Sequence, residues 1–209
     1  MTPVPGIAPR AAIVRPPGRS FARALSGHPA RATIDPARAQ EQHAAYVAAL
    51  ADLVAELQLM TPPATLDGGD VLRLGQTLVV GGSQRTNRAG VEQLARFARS
   101  CGLDLVVAAV PDDVLHLQTA VTAVAGDAVV GAAFMLAQPV FRSVRRRVVV
   151  PPEEAPGCNV LAVGTTAVLP ARCPVTAAAI RRLGLEVREV DLDEVYKADG
   201  GATCLSLLV

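Results

Sequence analysis

The sequence lacks a marked excess of charge, a long apolar run and an uninterrupted apolar N-terminus. Its formal net charge is +1 over 209 residues, which gives no electrostatic reason to expect a nucleic acid or an anionic membrane as partner. No apolar stretch approaches the roughly 20 residues that a membrane-spanning helix needs. Prolines interrupt the opening MTPVPGIAPRAAIVRPPGRS, where a signal peptide needs an unbroken apolar core, so we expect a cytoplasmic protein.

The chain also has few cysteines, and their spacing is not that of a metal site. The four are Cys101, Cys158, Cys173 and Cys204. None lies in C-x-x-C spacing, which argues against a zinc site or a redox pair, and a reducing compartment would keep all four as thiols. We therefore expect no metal and no other cofactor.

What the sequence has is the composition of a globular protein, with 51% hydrophobic and 19% charged residues. A chain of this length is sufficient for one domain with a large core, and we expect residues 1–209 to form a single unit. The stretch AAIVRP predicts a short strand that ends at Pro16. A helix is predicted from Asp35 as N-cap to about Gln58, with one buried face that includes Leu50 and Leu57.

The remainder of the chain repeats one pattern three times. Each copy begins with two short strands interrupted by a small-residue turn, at Gly75-Gln76, Gly126-Asp127 and Gly164-Thr165. A helical stretch and another strand follow each hairpin. The basic run at 145–147 is interpreted as a solvated helix end. Such units cannot bury their apolar faces alone, so we predict an α/β ring of repeats whose loops meet at a central pocket.

Three polar stretches are candidates for that pocket. In TLDGGD, Asp67 and Asp70 flank two glycines and form either a cation-binding corner or a turn in which both carboxylates cap backbone amides. In SQRTN, Arg85 is either a fork for a substrate carboxylate or a solvent-exposed loop arginine. In DDVLHLQTA, His116 is either a core residue or a catalyst.

The fourth candidate is Cys204, which follows two glycines near the end of the sequence. It is either a small core residue in a last strand or a working thiol with space cleared around it. A cysteine with a distant histidine and a carboxylate is the pattern of thiol nucleophile chemistry, in which spatial adjacency matters more than order.

Several stretches together resemble the dimethylarginine dimethylaminohydrolases, guanidine-modifying enzymes of the pentein superfamily. They are ATLDGGDVLRLGQTLVVGGSQRTNRAGVEQL, VLHLQTAVTAV, KADGGATCLSLL and the early AIVRPP and SFARAL. The resemblance extends in order from near the N-terminus to the end. It implies a pentein-type α/β propeller of five modules with a central active site, whereas the repeats counted in this chain amount to about four.

The resemblance also implies roles for individual residues. Cys204 is the expected nucleophile, His116 the general acid and base, and Asp67 the carboxylate that holds the guanidinium. Arg85 is expected to bind the substrate's α-carboxylate. Leu25 lies where the family has a lid-loop leucine, and Asp70 is expected in the substrate site. The implied activity is hydrolysis of a C–N bond in a linear amidine, which converts dimethylarginine to citrulline and dimethylamine without a cofactor.

One departure from the family pattern affects both the fold and the site. The family has a Phe-Val-Glu-Asp segment, whose acids grip the guanidinium, and then another arginine for the substrate carboxylate. Here roughly one module is missing near residues 58–62. The ring would then close with four units, expose strand edges or associate with a second copy, for example as a homodimer. Loss of the acids is expected to weaken guanidine binding by several kcal/mol.

The sequence leaves two classes of function open. The first is the thiol hydrolase of methylated arginines, with an arginine deiminase or amidinotransferase as a related enzyme. The second is a degenerate pentein that binds a small ligand or a partner without turnover, which the missing acids favour. An internally deleted product with an impaired fold is a third interpretation.

Overall fold

The structure is a computed structural model, and it describes residues 11–18, 21–22, 31–51, 54, 56–192, 195 and 201–204. Strand β1 (Ala11–Val14), helix α1 (Pro36–Ala51) and strand β2 (Glu56–Leu59) form the N-terminal unit. β1 and β2 pair in parallel. Asp35 begins α1 as predicted, because its carboxylate accepts hydrogen bonds from the amides of Ala37 and Arg38.

Three units follow, and each is an antiparallel hairpin with a third strand parallel to its second strand. The first consists of β3 (Val71–Leu74), β4 (Thr77–Gly82), α2 (Arg88–Ser100) and β5 (Asp104–Ala109). A short helix α3 (Leu117–Ala120) leads into the second, with β6 (Val121–Ala125), β7 (Ala128–Ala132), α4 (Ala133–Leu136), α5 (Pro139–Arg142) and β8 (Arg146–Val150). The third consists of β9 (Leu161–Val163), β10 (Thr166–Pro170), α6 (Pro174–Arg182) and β11 (Glu186–Val190).

The three predicted hairpins are therefore confirmed, together with the helix and the strand that follow each. Gly75 and Gly164 have φ of 59° in their turns, a conformation that glycine adopts without steric cost. The described residues contain three three-stranded sheets and one two-stranded sheet. The number of modules in the whole ring stays a prediction.

Three hydrophobic cores join the four sheets in chain order. Ile13 of β1 packs against a cluster that includes Val80 of β4. Val79, from the other face of the same strand, packs in a second cluster with Val121 of β6. The third cluster joins β6–β8 to β9–β11 and α6. Because β4 contributes to the core on both of its faces, the strand is apolar throughout rather than alternating.

Two of the predicted elements are wrong in detail. The predicted helix that extends to Gln58 ends earlier, and Glu56–Leu59 is a strand. Its backbone pairs with β1, and the amide of Met60 continues that pairing to the carbonyl of Val14 at 2.7 Å. The parallel pairing satisfies backbone groups on the edge of β1, which a helix there would leave unpaired.

The basic run is the second correction, because it begins a strand and does not end a helix. Strand β8 starts at Arg146, whose guanidinium forms an ion pair with Asp127 in the preceding hairpin turn. The hydrogen bond from Arg146 lowers the pKa of Asp127 below its usual value. The central charge of the run is thus neutralised by the turn beside it, which lets the strand begin there.

A buried carboxylate fixes the start of α6. Glu154 is 4% exposed and accepts hydrogen bonds from the amides of Val175 and Thr176 and from the Thr176 hydroxyl, at 2.7 to 2.9 Å. Burial raises the pKa of Glu154, but these bonds together bring it below its usual value of 4.5. Glu154 therefore caps the start of α6 as a charged group. Within the described ranges, no helix is both long and apolar enough to cross a membrane.

Candidate active site

His116 lies immediately before α3, where the chain passes from the first three-stranded unit to the second. Its side chain is buried, with 8% of the residue exposed. The hydroxyl of Thr119 lies 3.0 Å from Nδ1 of the ring. This contact fixes the ring plane and leaves Nε2 as the nitrogen suited to proton transfer.

The imidazole ring also packs directly on the backbone of Gly69. A Cβ atom at position 69 would lie 2.5 Å from both Cδ2 and Nε2 of His116. Gly69 is therefore required for space, because the ring occupies the volume that any side chain would fill. At the neighbouring Gly68, an added Cβ would meet no atom within 4 Å.

Asp67 begins the short 3₁₀ turn Gly68–Asp70. One carboxylate oxygen accepts a hydrogen bond from the amide of Gly69 at 2.8 Å. The other lies 3.2 Å from the guanidinium of Arg85. The two side chains keep 26% and 46% of their surfaces exposed, so both are accessible to a ligand. Asp67 therefore caps a backbone amide, as one of the two alternatives predicts, while the binding of a ligand cation by this corner stays a prediction.

Asp70 has no exposed surface. Its carboxylate accepts hydrogen bonds from the hydroxyls of Ser83 and Thr86 and, at 2.9 Å, from the amide of Leu117. These donors use both oxygens of the carboxylate. The bonds connect the turn Gly68–Asp70 to the loop after β4 and to the start of α3. The geometry gives Asp70 a supporting task beneath the site, and the substrate contact expected from the sequence has no support in it.

Cys204 is exposed and lies at the end of the short turn Ala202–Cys204. The other three cysteines are less accessible, since Cys101 is partly covered and Cys158 and Cys173 are buried. Burial raises the pKa of Cys158 to about 12 and also raises that of Cys173. Neither buried thiol is suited to act as a thiolate, which leaves Cys204 as the accessible candidate.

A buried asparagine that the sequence analysis missed connects the turn of Cys204 to the segment of His116. Asn159 accepts a hydrogen bond from the amide of Thr203 at 2.9 Å and donates to the hydroxyl of the same residue. It also donates to the carbonyl of Gln118 at 3.0 Å. The side chain of Gln118 in turn donates to the carbonyls of Gly68 and Val71. One hydrogen-bonded chain thus links the turns of Cys204, His116 and Asp67.

The remaining candidate, Leu25, lies outside the described residues. Over the described ranges, no cluster of histidine, cysteine, aspartate or glutamate side chains could hold a metal ion. The segment from residue 57 to 66, which leads from β2 to Asp67, contains no acidic residue. It is held by Gln93, which exchanges hydrogen bonds with the backbone of Thr61, and by Arg15, which donates to the carbonyl of Ala64.

Comparison with known proteins shows the family to which the chain belongs. Residues 41–154 match the family model described as arginine deiminase. The chain is 39% identical to an N(G),N(G)-dimethylarginine dimethylaminohydrolase of Streptomyces coelicolor, over 76% of this chain and 60% of the relative. It is 32% identical to the protein of the same name from Pseudomonas aeruginosa, over 73% of this chain and 59% of the relative. The chain thus spans about 60% of the length of the curated relatives it matches.

Solved structures show the same fold. The dimethylarginine dimethylaminohydrolase of Pseudomonas aeruginosa, solved as a cysteine-to-serine mutant with citrulline, aligns with a TM-score of 0.68 and 25% identity. The alignment covers 96% of this chain and 99% of that one. The chain has the α/β pentein fold and belongs to the arginine deiminase family, as a relative of its dimethylarginine dimethylaminohydrolases.

Proposed function

We propose that the protein is a thiol-dependent hydrolase that converts Nω-methylated arginines to citrulline and a methylamine through a covalent adduct on Cys204. The observation that supports this most is the hydrogen-bonded chain through Asn159 and Gln118, because it holds an exposed thiol and a buried histidine on adjoining turns. Nucleophilic catalysis by cysteine needs such a pair.

In the first half of the reaction, the thiolate of Cys204 attacks the guanidinium carbon of the substrate. The new C–S bond forms as the bond from that carbon to dimethylamine breaks, and His116 gives the departing amine its proton. The contact between Nδ1 and Thr119 leaves Nε2 to carry this proton. The adduct that remains is an S-alkylthiouronium on Cys204.

In the second half, water attacks the same carbon. His116 accepts a proton from the water, the C–S bond breaks, and citrulline leaves with the Cys204 thiolate regenerated. Collapse of the tetrahedral adduct also releases one proton to solvent, which the free dimethylamine takes up as dimethylammonium, so that atoms and charge balance with water as the sole co-substrate. The sequence of steps uses the same imidazole first as acid and then as base.

Asp67 and Arg85 provide the charges for binding the substrate. The Asp67 carboxylate attracts the substrate guanidinium, and Arg85 can form a forked pair with the α-carboxylate. In the structure, the Arg85 guanidinium is itself paired with Asp67 at 3.2 Å. Substrate binding therefore exchanges this ion pair for two pairs with the ligand, which limits the net gain in affinity.

Citrulline formation from asymmetric dimethylarginine tests the proposal. The wild-type protein should release citrulline and dimethylamine in equal amounts, and Cys204→Ser should release neither. Cys101→Ser is the matched control, because it removes the other thiol with exposed surface and should leave the rate unchanged. Citrulline release by Cys204→Ser at the wild-type rate would refute the covalent mechanism.

The alternative is a degenerate pentein that binds a ligand without turnover. Two observations favour it: the segment 57–66 contains no carboxylate, and Asp67 is already paired with Arg85. Labelling with chloroacetamidine separates the two functions. With each rate normalised to that of the same reagent with a free thiol, a working site should react at Cys204 much faster with this cationic reagent than with neutral chloroacetamide. A site that has lost its catalytic arrangement should show no such preference.

A further inference from the structure

We propose that Asn159 is a positioning residue that fixes the turn carrying Cys204 against the segment carrying His116; this inference rests on the proposed function. Asn159 is 5% exposed, and all of its side-chain polar atoms are used. Its oxygen accepts from the Thr203 amide, and its nitrogen donates to the Thr203 hydroxyl and to the Gln118 carbonyl. It therefore binds the residue before the candidate nucleophile and the second residue after the histidine.

A glycine allows the thiol-bearing turn to lie directly on this amide. A Cβ atom at position 201 would lie 2.6 Å from Cγ of Asn159 and 2.7 Å from its oxygen. Such contacts are far closer than side chains tolerate. Gly201 thus brings the backbone of the turn against Asn159, and this close approach lets the Thr203 amide reach the asparagine oxygen.

Asp70 and Asn159 occupy equivalent places in their units, each five residues before the glycine of the hairpin turn. Asp70 accepts from the amide of Leu117, and Asn159 donates to the carbonyl of Gln118. The backbone that directly follows His116 is therefore hydrogen-bonded by a side chain from the first unit and by a side chain from the third. Of these two side chains, Asn159 also forms hydrogen bonds with the Cys204 turn.

Loss of Asn159 should lower the catalytic rate, because a small displacement of Cys204 relative to His116 strongly reduces catalysis. A shift of about 1 Å between reacting groups can cost about a hundredfold in rate. Without Asn159 the Cys204 turn keeps its sulfur but loses the two bonds at Thr203, and the bond from Asn159 to the Gln118 carbonyl that ties this turn to the His116 segment is lost as well. Substrate binding through Asp67 and Arg85 does not use these bonds. The expected effect is on kcat and much less on KM.

The matched pair of variants is Asn159→Ala and Thr122→Val. Thr122 is 2% exposed and makes two hydrogen bonds beside Asn159, to the carbonyl of Cys158 and from the amide of Val160. It has no bond to Thr203 or to Gln118 among those the structure describes. Thr122→Val therefore removes buried polar bonds from the same strand end without releasing the Cys204 turn.

Steady-state kinetics and amide hydrogen exchange are then measured on both variants. For Asn159→Ala we expect kcat to fall at least about tenfold, with KM changed less than about threefold. Exchange of the Thr203 amide should be at least about tenfold faster. Thr122→Val should leave both quantities within about twofold of the wild type.

Asn159→Asp supplies a second variant if Asn159→Ala does not fold. The aspartate keeps the oxygen that accepts the Thr203 amide, but it presents another oxygen to the Gln118 carbonyl in place of a donor. We expect Thr203 to stay protected from exchange while kcat falls.

Equal kcat losses for Asn159→Ala and Thr122→Val would overturn the inference, as would unchanged exchange of the Thr203 amide in Asn159→Ala. If the wild type releases no citrulline, the proposed function fails. The exchange of the Thr203 amide then decides this inference alone.

Discussion

Replacing Gly69 with alanine should disable the site while leaving the fold largely intact. The added Cβ would lie 2.5 Å from the His116 ring, whereas ordinary contacts begin at 3.4 Å. The ring must therefore move by about 1 Å, and displacement of a reacting group by that distance costs about a hundredfold in kcat. The amide of residue 69 still donates to Asp67, so the turn keeps its capping bond.

The stability cost of Gly69→Ala should be about 1–3 kcal/mol, the usual range for overpacking a filled site. Gly68→Ala is the matched control, since its new methyl group meets nothing within 4 Å. Citrulline release and the rate of Cys204 alkylation by chloroacetamidine are compared for the two variants, with thermal unfolding measured alongside. Equal activity of the two variants would show that His116 does not act from the place the structure gives it.

Three further predictions concern the thiols, Asp70 and Glu154. In the native protein a neutral thiol reagent should modify Cys204 and, more slowly, Cys101, and peptide mapping identifies the modified residues. Modification of Cys158 or Cys173 before the protein unfolds would contradict their burial. Asp70→Ala leaves three donors without an acceptor, two of them buried and that of Ser83 half-buried, and should lower the free energy of unfolding by about 3 kcal/mol in urea titrations. A loss below about 1 kcal/mol would refute its supporting role. The pKa of Glu154 is lower in the folded state, so its charge stabilises the fold above pH 4.5, and this contribution is lost as the pH falls below 4.5. The difference in the free energy of unfolding between the wild type and Glu154→Gln should therefore shrink as the pH falls through that range. A constant difference would contradict the assignment.

The parts of the fold that the sequence predicts well are those set by local chemistry. A small-residue turn between two short apolar runs predicts each hairpin, because few residues tolerate the backbone of a tight turn. Asp35 likewise predicts a helix start, and it caps the backbone amides of Ala37 and Arg38 in the structure. These features depend on neighbours within a few positions along the chain.

The features that the sequence does not predict depend on distant partners. The short stretch Glu56–Leu59, in which polar residues alternate with leucines, fits the end of a helix or a strand, and the pairing with β1 decides between them. Asn159 bonds to residues 41 and 44 positions away, and nothing near it in the sequence indicates them. An asparagine directly before an apolar strand resembles an ordinary turn residue. A comparison of the repeats with one another aligns it with Asp70 and is the signal that could have found it.

The charge balance of the site is its main physical difference from the family that the sequence resembles. Between β2 and Asp67 the chain carries no acidic side chain. The Asp67 carboxylate is shared between the amide of Gly69 and the guanidinium of Arg85. A cationic substrate therefore competes with Arg85 for one carboxylate, and we expect it to bind weakly.

The most direct test of the central claim is to trap the covalent intermediate. The protein is mixed with asymmetric dimethylarginine, quenched in acid during turnover, and mapped by mass spectrometry. We expect an adduct with the mass of the substrate less dimethylamine, on the peptide containing Cys204. We also expect His116→Gly to slow both the formation and the hydrolysis of the adduct, because His116 is the acid in the first half of the reaction and the base in the second. Steady citrulline release with no adduct on Cys204 in either protein would contradict the account.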